Sequence, residues 1–260
     1  MHHLHIDRYA GIQSPVHDID PRLKLLGALS FILMVVLTPE EWFLSYILYG
    51  VILLVLVVAS QVPLMYILKR SVLILPFAVA VSLFIPFATP GSVIGDITVF
   101  GQTITITAEG VQRFSALNTK AFVSFVMSFL LVATTRFGDL MWAASKLGMP
   151  AKLVLVISFM YRYLFILLDK ATHMKLARDL RSPRIKKTSF IAASGNIIGA
   201  LFVRSFAHAT ALYDAMLLRG YDGKPSRYAV VHLQVTDIIA AAGFFLAAVT
   251  ACFAGGWFHG

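Results

Sequence analysis

Apolar stretches of membrane-spanning length, separated by short polar or basic breaks, are the feature that most restricts how this chain can fold. A helix needs about 20 mostly apolar residues to cross the hydrocarbon core of a bilayer. Charged residues make up only 13% of the 260 residues. Soluble domains carry about 25%, so this chain has too few polar side chains to cover a water-facing surface. The sequence therefore predicts an all-α integral membrane protein. About five segments reach or approach the required length: residues 24–38, 42–60, 72–90, 111–135 and 230–254.

The breaks between these predicted spans differ in composition. Residues 38–41 form a polar turn, and Lys69 and Arg70 form a basic one. Residues 91–108 form a longer extracytoplasmic loop, since no apolar run within them is long enough to span a bilayer. Apolar residues and threonines alternate on either side of Gly101 and Gln102, which predicts a small β-hairpin inside the loop.

The distribution of lysine and arginine predicts the orientation. Residues 136–228 contain 15 of the 22 basic residues but only 5 of the 13 acidic ones. Basic loops face the cytoplasm, so this region and the N-terminus are predicted to lie inside, in the inner membrane of the cell. The predicted organisation is helices one to four over residues 1–135, a cytoplasmic region over 136–228 and a last transmembrane helix over 229–260. The net charge of +9 then indicates contact with membrane lipids rather than with nucleic acid.

Two apolar segments inside the basic region leave its arrangement open. Arg162 interrupts the first, residues 153–168, and the second covers residues 189–203. Both fit long helices that lie obliquely at the inner interface with apolar faces on the bundle. A re-entrant pair or a hairpin through the membrane is the alternative. Gly195 and Gly199, four residues apart, allow close backbone approach and are predicted to mark the crossing of the two long helices.

Each of these two helices is predicted to end in a triplet centred on arginine. The first is Leu180-Arg181-Ser182 and the second is Leu218-Arg219-Gly220. An arginine at a helix C-terminus can simply interact with the helix dipole, which contributes roughly 0.3–1 kcal/mol. Two similar tips in one basic region instead indicate a binding role. The guanidinium of arginine is planar and permanently charged, so it can bind carboxylates or backbone carbonyls of a partner.

The two triplets belong to a longer set of matching segments. Together with the block from Ser14 to Leu26 and the tail Arg219-Gly220-Tyr221-Asp222-Gly223, they resemble the transmembrane T component of energy-coupling factor (ECF) importers. The resemblance is closest to the cobalt-type CbiQ family and covers nearly the whole chain in the same order. That family has alanine at the first triplet position, whereas this chain has leucine twice. Ala177-Arg178-Asp179 is an offset alternative for the first triplet.

The resemblance implies a coupling subunit rather than an enzyme. Two long cytoplasmic coupling helices would cross in an X, and their tips at Arg181 and Arg219 would dock into two ATP-binding subunits. ATPase closure would then reorient a separate substrate-binding membrane subunit. Cobalt is the expected substrate, while nickel or a vitamin stays open because specificity would lie on that other subunit. A small accessory membrane subunit is a further partner that the resemblance allows.

Two other functional classes would use different residues. A self-sufficient carrier or channel would use Lys120, Arg162 and Asp237, because charges inside apolar helices are costly and mark function or mutual pairing. Lys120 and Asp237 are predicted to form an ion pair inside the bundle. An intramembrane enzyme would need a cluster of carboxylates and histidines, and its nearest candidates are Asp214, Asp222 and His208.

Neither a catalytic site nor a resident cofactor or metal is predicted. The segment Gly223-Lys224-Pro225-Ser226 lacks the first glycine of a phosphate-binding loop, so ATP hydrolysis is expected from another chain. His2, His3 and His5 are expected to be solvated rather than to bind a metal. A single cysteine excludes an intrachain disulfide.

Overall fold

A computed structural model of the chain describes residues 14–99, 102–181, 187–221 and 235–257, with side chains described except at 93–106, 187–192 and 255–257. The chain divides into two units. One lies between residues 144 and 230, and the other combines residues 2–143 with residues 231–260. Along the chain the elements are α1 Pro15–Asp18, α2 Pro21–Leu37, α3 Phe43–Ser60, α4 Leu64–Val72, α5 Leu75–Ser82, α6 Ile85–Ala88, β1 Val93–Val99, β2 Gln102–Thr107, α7 Ala108–Thr134, α8 Phe137–Lys146, α9 Ala151–Arg181, α10 Lys187–Leu218 and α11 Val235–Trp257.

The prediction of a helical, multi-pass membrane protein is confirmed. Among the described residues, five helical stretches are long and apolar enough to cross a membrane: Phe43–Ser60, Leu64–Ala88, Ala108–Thr134, Ala151–Arg181 and Val235–Ala254. Four of them match predicted spans. The predicted span at residues 24–38 corresponds to α2, which has 17 residues. The fifth stretch is α9, whose apolar half had been assigned either to the interface or to the membrane.

The predicted basic break at Lys69 and Arg70 falls two residues before a helix end, because α4 continues to Val72. Both residues lie in the last turn of α4. The chain turns earlier, where Gln61 adopts a left-handed conformation with φ 55° and Pro63 caps the start of α4. The stretch from α4 to α6 is interrupted twice, before α5 and before α6. Pro76 and Pro86 lie in the first turns of these helices, and proline lacks the N–H that continues a helical hydrogen-bond ladder.

The predicted hairpin in the loop is confirmed. Strands β1 and β2 pair antiparallel, from Val93 opposite Thr107 to Val99 opposite Gln102, with an irregularity near Gly95. The predicted turn residue Gly101 lies outside the described residues. Thr107 ends β2 and begins α7, because its Oγ1 accepts a hydrogen bond from the Gly110 amide at 3.2 Å.

The core of the larger unit lies where α2, α3, α7 and α11 meet. Phe31 and Tyr49 are fully buried, and their rings pack edge to face with centroids 5.4 Å apart. Phe31 also lies 5.7 Å from the ring of Phe244 on α11. One end of the interface brings the Thr38 Oγ1 within 4.0 Å of the Cys252 Sγ. From the Phe31–Phe244 pair to the Thr38–Cys252 pair, the residue numbers rise together on the two helices, so α11 runs parallel to α2.

The predicted ion pair between Lys120 and Asp237 is wrong. The Lys120 Nζ donates to the carbonyl oxygen of Val36 at 3.1 Å, near the last turn of α2. Asp237 lies in the first turn of α11. Because α11 runs parallel to α2, Asp237 is level with the start of α2, about 13 residues or ~20 Å from Val36 at 1.5 Å per residue. Lys120 therefore donates its hydrogen bond to the Val36 backbone carbonyl and not to the Asp237 carboxylate.

Candidate docking tips of the long helix pair

Helices α9 and α10 pack antiparallel in the smaller unit. The ring of Tyr163 meets the ring of His208 edge to face at 5.5 Å. Fifteen residues further along α9, the Arg178 Nη1 donates to the Ser194 Oγ at 3.4 Å. The paired residue numbers rise on one helix as they fall on the other. The C-terminus of α9 therefore lies beside the N-terminus of α10.

This pairing places the two predicted tips at opposite ends of the helix pair. Arg181 is the last residue of α9, and Arg219 directly follows the last residue of α10. From the pairing of Arg178 with Ser194, the end of α9 is level with a point about 28 residues before Arg219 on α10. At 1.5 Å per residue, the two arginines are ~40 Å apart along the helix axis.

The second tip has a defined backbone geometry. The Gly220 amide donates to the Leu217 carbonyl at 2.9 Å, and the Tyr221 amide donates to the Met216 carbonyl at 3.0 Å. Gly220 has a φ of +79°. These two bonds around a left-handed glycine form a Schellman motif, which makes Arg219 the C-cap residue. The predicted helix stop at Gly220 is therefore confirmed in its local geometry.

The side chains at the second tip face solvent. Leu218 is 90% exposed, and Arg219 is exposed. The Arg219 side chain forms no hydrogen bond or ion pair with a residue that the structure describes. Tyr221 and Met216 line one groove, so the apolar contact that often accompanies a Schellman motif can anchor the turn behind the arginine. Asp222 and Gly223 lie outside the described residues.

The two candidate arginines of the first tip have different surroundings. The Arg178 side chain is only 14% exposed, and its Nη2 and Nε donate to the Asp179 Oδ1 at 2.7 and 2.9 Å. Arg181 and Leu180 are exposed, and the Arg181 side chain forms no ion pair or hydrogen bond with any described residue. Ser182 lies outside the described residues. Arg178 thus holds α9 to α10, while Arg181 faces outward.

The structure shows no close neighbour at the glycine pair of α10. A Cβ built on Gly195 or on Gly199 has no described atom of another element within 4 Å. The contact between α9 and α10 runs instead through Ser194 and His208. The packing of this unit therefore gives no support for a close crossing at the two glycines, and their role in a complex stays a prediction.

The remaining predicted residues do not assemble into a site. Lys120 and Asp237 lie at different levels of the bundle, as described above, and Arg162 is an exposed residue of α9. His208 packs on Tyr163, and Asp214 is exposed. The described residues contain no group of three or more histidine, cysteine or acidic residues that could hold a metal ion. His2, His3 and His5 lie outside the described part of the chain.

The N-terminal block forms a polar anchor at the start of α2, which sequence reasoning had not assigned. Asp20 is fully buried, and its Oδ1 accepts a hydrogen bond from the Arg22 amide at 2.8 Å, which caps α2. The Lys24 Nζ donates to the His17 carbonyl at 2.8 Å and to the Thr134 carbonyl at 3.4 Å. Lysine thereby ties α1 to the last residue of α7. An acidic N-cap followed by proline at the first helical position was the available signal.

The same block also holds α8. The guanidinium carbon of Arg22 lies 4.1 Å from the centroid of the Trp142 ring, and Trp142 is 7% exposed. A guanidinium over the face of an indole is the cation–π geometry with the strongest attraction among aromatic side chains. Helix α8 runs from Phe137 to Lys146.

Comparison with known proteins places this arrangement in a family. The profile of the CbiQ family, described as cobalt transport protein, matches residues 13–229. The energy-coupling factor transporter transmembrane protein EcfT of Bacillus selenitireducens is 29% identical over 93% of this chain and 93% of its own length. EcfT of Staphylococcus aureus is 26% identical over 90% of this chain and 91% of its own. A protein of Methanocorpusculum labreanum, named as a fused cobalt transport protein CbiMQ, is 24% identical over 84% of this chain and 37% of its own.

Proposed function

The chain belongs to the CbiQ family of cobalt transport proteins, and on that premise we propose that it is the transmembrane coupling subunit of an ATP-driven ECF importer. Two ATP-binding subunits would bind its long helix pair, and a separate membrane subunit would bind the substrate. The relatives named EcfT and CbiMQ support this assignment. Cobalt ion is the substrate we propose, because both the family description and the CbiMQ name refer to cobalt transport.

The observation that carries the proposal is the exposure of two arginines at opposite ends of one antiparallel helix pair. A pair that crossed the membrane upright would leave Arg181 on one side and Arg219 on the other. A pair that lies along the inner membrane surface keeps both on the cytoplasmic side. We therefore favour the interfacial arrangement over the transmembrane hairpin, with residues 136–228 and the N-terminus in the cytoplasm.

The chemistry of the tips suits a rigid coupling contact. Each arginine sits at or directly after the last turn of a helix of about thirty residues, where the free terminal carbonyls make the local potential negative. A guanidinium there can donate several hydrogen bonds in one plane to carboxylates or carbonyls of an ATPase. Helix α9 contains neither proline nor glycine, so it can transmit displacement without a sharp bend.

Charge reversal at the tips tests the proposal. We expect Arg181→Glu and Arg219→Glu each to reduce ATPase recovery when the chain is purified from native membranes in mild detergent. Losing one partner of a buried, hydrogen-bonded charge pair costs about 2–5 kcal/mol, so the affinity for the ATPase should fall at least ~30-fold and its recovery should fall with it. Mass spectrometry of the eluate identifies the ATPases, and any membrane partner reports on the substrate class.

Two controls make the result specific. Lys175→Glu reverses an exposed charge on α9 away from the tip and should leave recovery unchanged. Arg178→Gln separates the two candidates for the first tip, because it removes the contacts with Ser194 and Asp179 without touching Arg181. Full ATPase recovery with both tip variants, or transport by the purified chain alone, would refute the coupling role and return the carrier hypothesis to first place.

A further inference from the structure

Lys69 and Arg70 are two exposed cations of the larger unit that the proposed function does not use. They precede the apolar part of the stretch from α4 to α6, at the level where the phosphate groups of the inner leaflet are expected. Neither side chain forms an ion pair or a hydrogen bond with a residue that the structure describes. Two adjacent cations without an acidic partner repel each other, and an anion placed between them removes that repulsion.

Aromatic rings hold the Arg70 side chain in place. Its guanidinium carbon lies 5.5 Å from the centroid of the Tyr66 ring and 5.8 Å from the centroid of the Phe129 ring on α7. A ring face attracts the cation but supplies no lone pair as a hydrogen-bond acceptor. The guanidinium is therefore positioned and can still donate a fork of hydrogen bonds to a phosphate.

Large apolar side chains form one stripe beyond the two cations. At about 100° of rotation per residue, this stripe lies between the directions of Lys69 and Arg70 around the helix axis. Its members Leu73, Phe77 and Phe84 are 76%, 73% and 74% exposed. From Leu73 to Phe84 the stripe extends ~16 Å at 1.5 Å per residue, which is close to the ~15 Å depth of the hydrocarbon in one leaflet.

The helical phase continues through both interruptions of this stretch. Leu73 and Ile74, between α4 and α5, keep right-handed helical backbone angles, and so do Leu83 and Phe84, between α5 and α6. The stripe therefore stays on the side that faces away from the bundle. The buried side chains of the stretch lie on the opposite side: Ile67, Ser71 and Ser82.

We propose that Lys69 and Arg70 bind the phosphate of an anionic glycerophospholipid of the inner leaflet, and that one acyl chain covers the stripe from Leu73 to Phe84. A soluble phosphate would match the two cations but not the stripe. A zwitterionic lipid would bring a further positive charge to the cations, so an anionic headgroup fits them better. The bound lipid would fix the depth of α4 in the membrane. The choice of the inner leaflet rests on the orientation proposed above, whereas the binding itself does not.

Native mass spectrometry of the detergent-solubilised full-length chain, titrated with phosphatidylglycerol or phosphatidylcholine, tests the site. We expect wild type to bind phosphatidylglycerol more tightly than phosphatidylcholine. The variant Lys69→Gln with Arg70→Gln should bind phosphatidylglycerol ~30-fold more weakly, equivalent to about 1 kcal/mol for each basic residue near an anionic surface. Inorganic phosphate and glycerol phosphate, added at millimolar concentration, should not displace the lipid.

Two matched variants separate the headgroup from the acyl chain. Lys146→Gln with Lys152→Gln removes two exposed lysines of α8 and α9 and should leave phosphatidylglycerol binding unchanged. Phe77→Ala with Phe84→Ala keeps both cations of the site. It should weaken the binding of dioleoyl phosphatidylglycerol but not of the dihexanoyl form, whose chains are too short to reach Phe84. Thermal unfolding in detergent checks that each variant is folded.

Several results would overturn the proposal. Equal affinity of wild type for the two lipids would exclude charge recognition, and unchanged phosphatidylglycerol binding by the Lys69 and Arg70 variant would exclude the site. Displacement by inorganic phosphate, or full binding of the dioleoyl lipid by the phenylalanine variant, would identify a simple anion site. Loss of a copurifying membrane protein from the Lys69 and Arg70 variant, with lipid binding unchanged, would assign the surface to a protein partner. The readout is bound lipid, so the tip-reversal experiment, which reads ATPase recovery, stays interpretable by itself.

Discussion

The helix stop at Gly220 supports a quantitative prediction about the second tip. Gly220 has a φ of +79°, a region that costs an L-residue about 1–2 kcal/mol. A Cβ at this position has no described atom within 4 Å, so Gly220→Ala adds backbone strain without a steric clash. The smaller entropy of the unfolded alanine chain offsets part of this cost, by about 0.4–1 kcal/mol. The expected net loss of local stability is about 1 kcal/mol, or about fivefold more frequent opening of the turn.

Hydrogen exchange on the detergent-solubilised chain measures this opening. The amides of Gly220 and Tyr221 donate the two bonds of the Schellman motif, so both should exchange about fivefold faster in Gly220→Ala. Gly220→Asn should show a smaller increase, because asparagine tolerates the left-handed region better than alanine. ATPase capture should fall with opening of the turn, since the motif fixes the position of Arg219.

Gly195→Ala is the matched control for this experiment. It is also a glycine of α10 with no atom near a built Cβ, but it lies in the helix interior. Alanine there should stabilise the helix by about 1 kcal/mol and leave the exchange of the tip unchanged. Slower or unchanged exchange at Tyr221 in Gly220→Ala would refute the strain argument, and a destabilising Gly195→Ala would show that the glycine pair meets another backbone after all.

Two further predictions concern the larger unit. Gly110→Ala should lower the thermal unfolding temperature in detergent, because a Cβ there would lie 2.7 Å from the Cα and 2.9 Å from the carbonyl oxygen of Pro86, whereas Gly50→Ala, with open space at its Cβ, should not. A normal melting temperature for Gly110→Ala would contradict the close packing of α6 on α7. Arg22→Met keeps the stem but removes the cation above Trp142, which should destabilise the fold by about 2 kcal/mol. Intrinsic tryptophan fluorescence during thermal unfolding checks this, and coincident melting curves for Arg22→Met and wild type would exclude a stabilising cation–π contact.

The membrane-spanning helices could be predicted from sequence because burial in lipid requires long apolar runs, and long runs are visible without a structure. Lys69 and Arg70 show the limit of that reasoning. A pair of charges suggested a chain break, but both lie inside the last turn of α4, with the Arg70 guanidinium over the Tyr66 ring. The earlier turn between α3 and α4 follows from the left-handed backbone of Gln61, for which the side chain gives little warning.

The docking tips were predictable in part. Glycine after a basic helix end is a local signal, and Gly220 takes the conformation that this signal implies. Local sequence does not decide which of Arg178 and Arg181 is the first docking tip. It depends on Ser194 and on how α9 pairs with α10, and that pairing joins residues far apart in sequence. The error on Lys120 has the same origin, because its partner is a backbone carbonyl on another helix.

The antiparallel pairing of α9 and α10 also fixes the distance between Arg181 and Arg219. If two partner subunits each receive one arginine, their receiving sites must stand ~40 Å apart, and the number of helical turns fixes that spacing. One residue inserted midway through α10 would advance Arg219 by about 1.5 Å and rotate it by about 100°, so it would point away from its receptor. Seven inserted residues would restore the direction to within about 20° but lengthen the spacing by about 10 Å. The direction of Arg219 and its distance from Arg181 can therefore be changed separately by insertions of different length. Comparing how each insertion affects partner binding would show whether binding depends on the direction of the tip or on its distance.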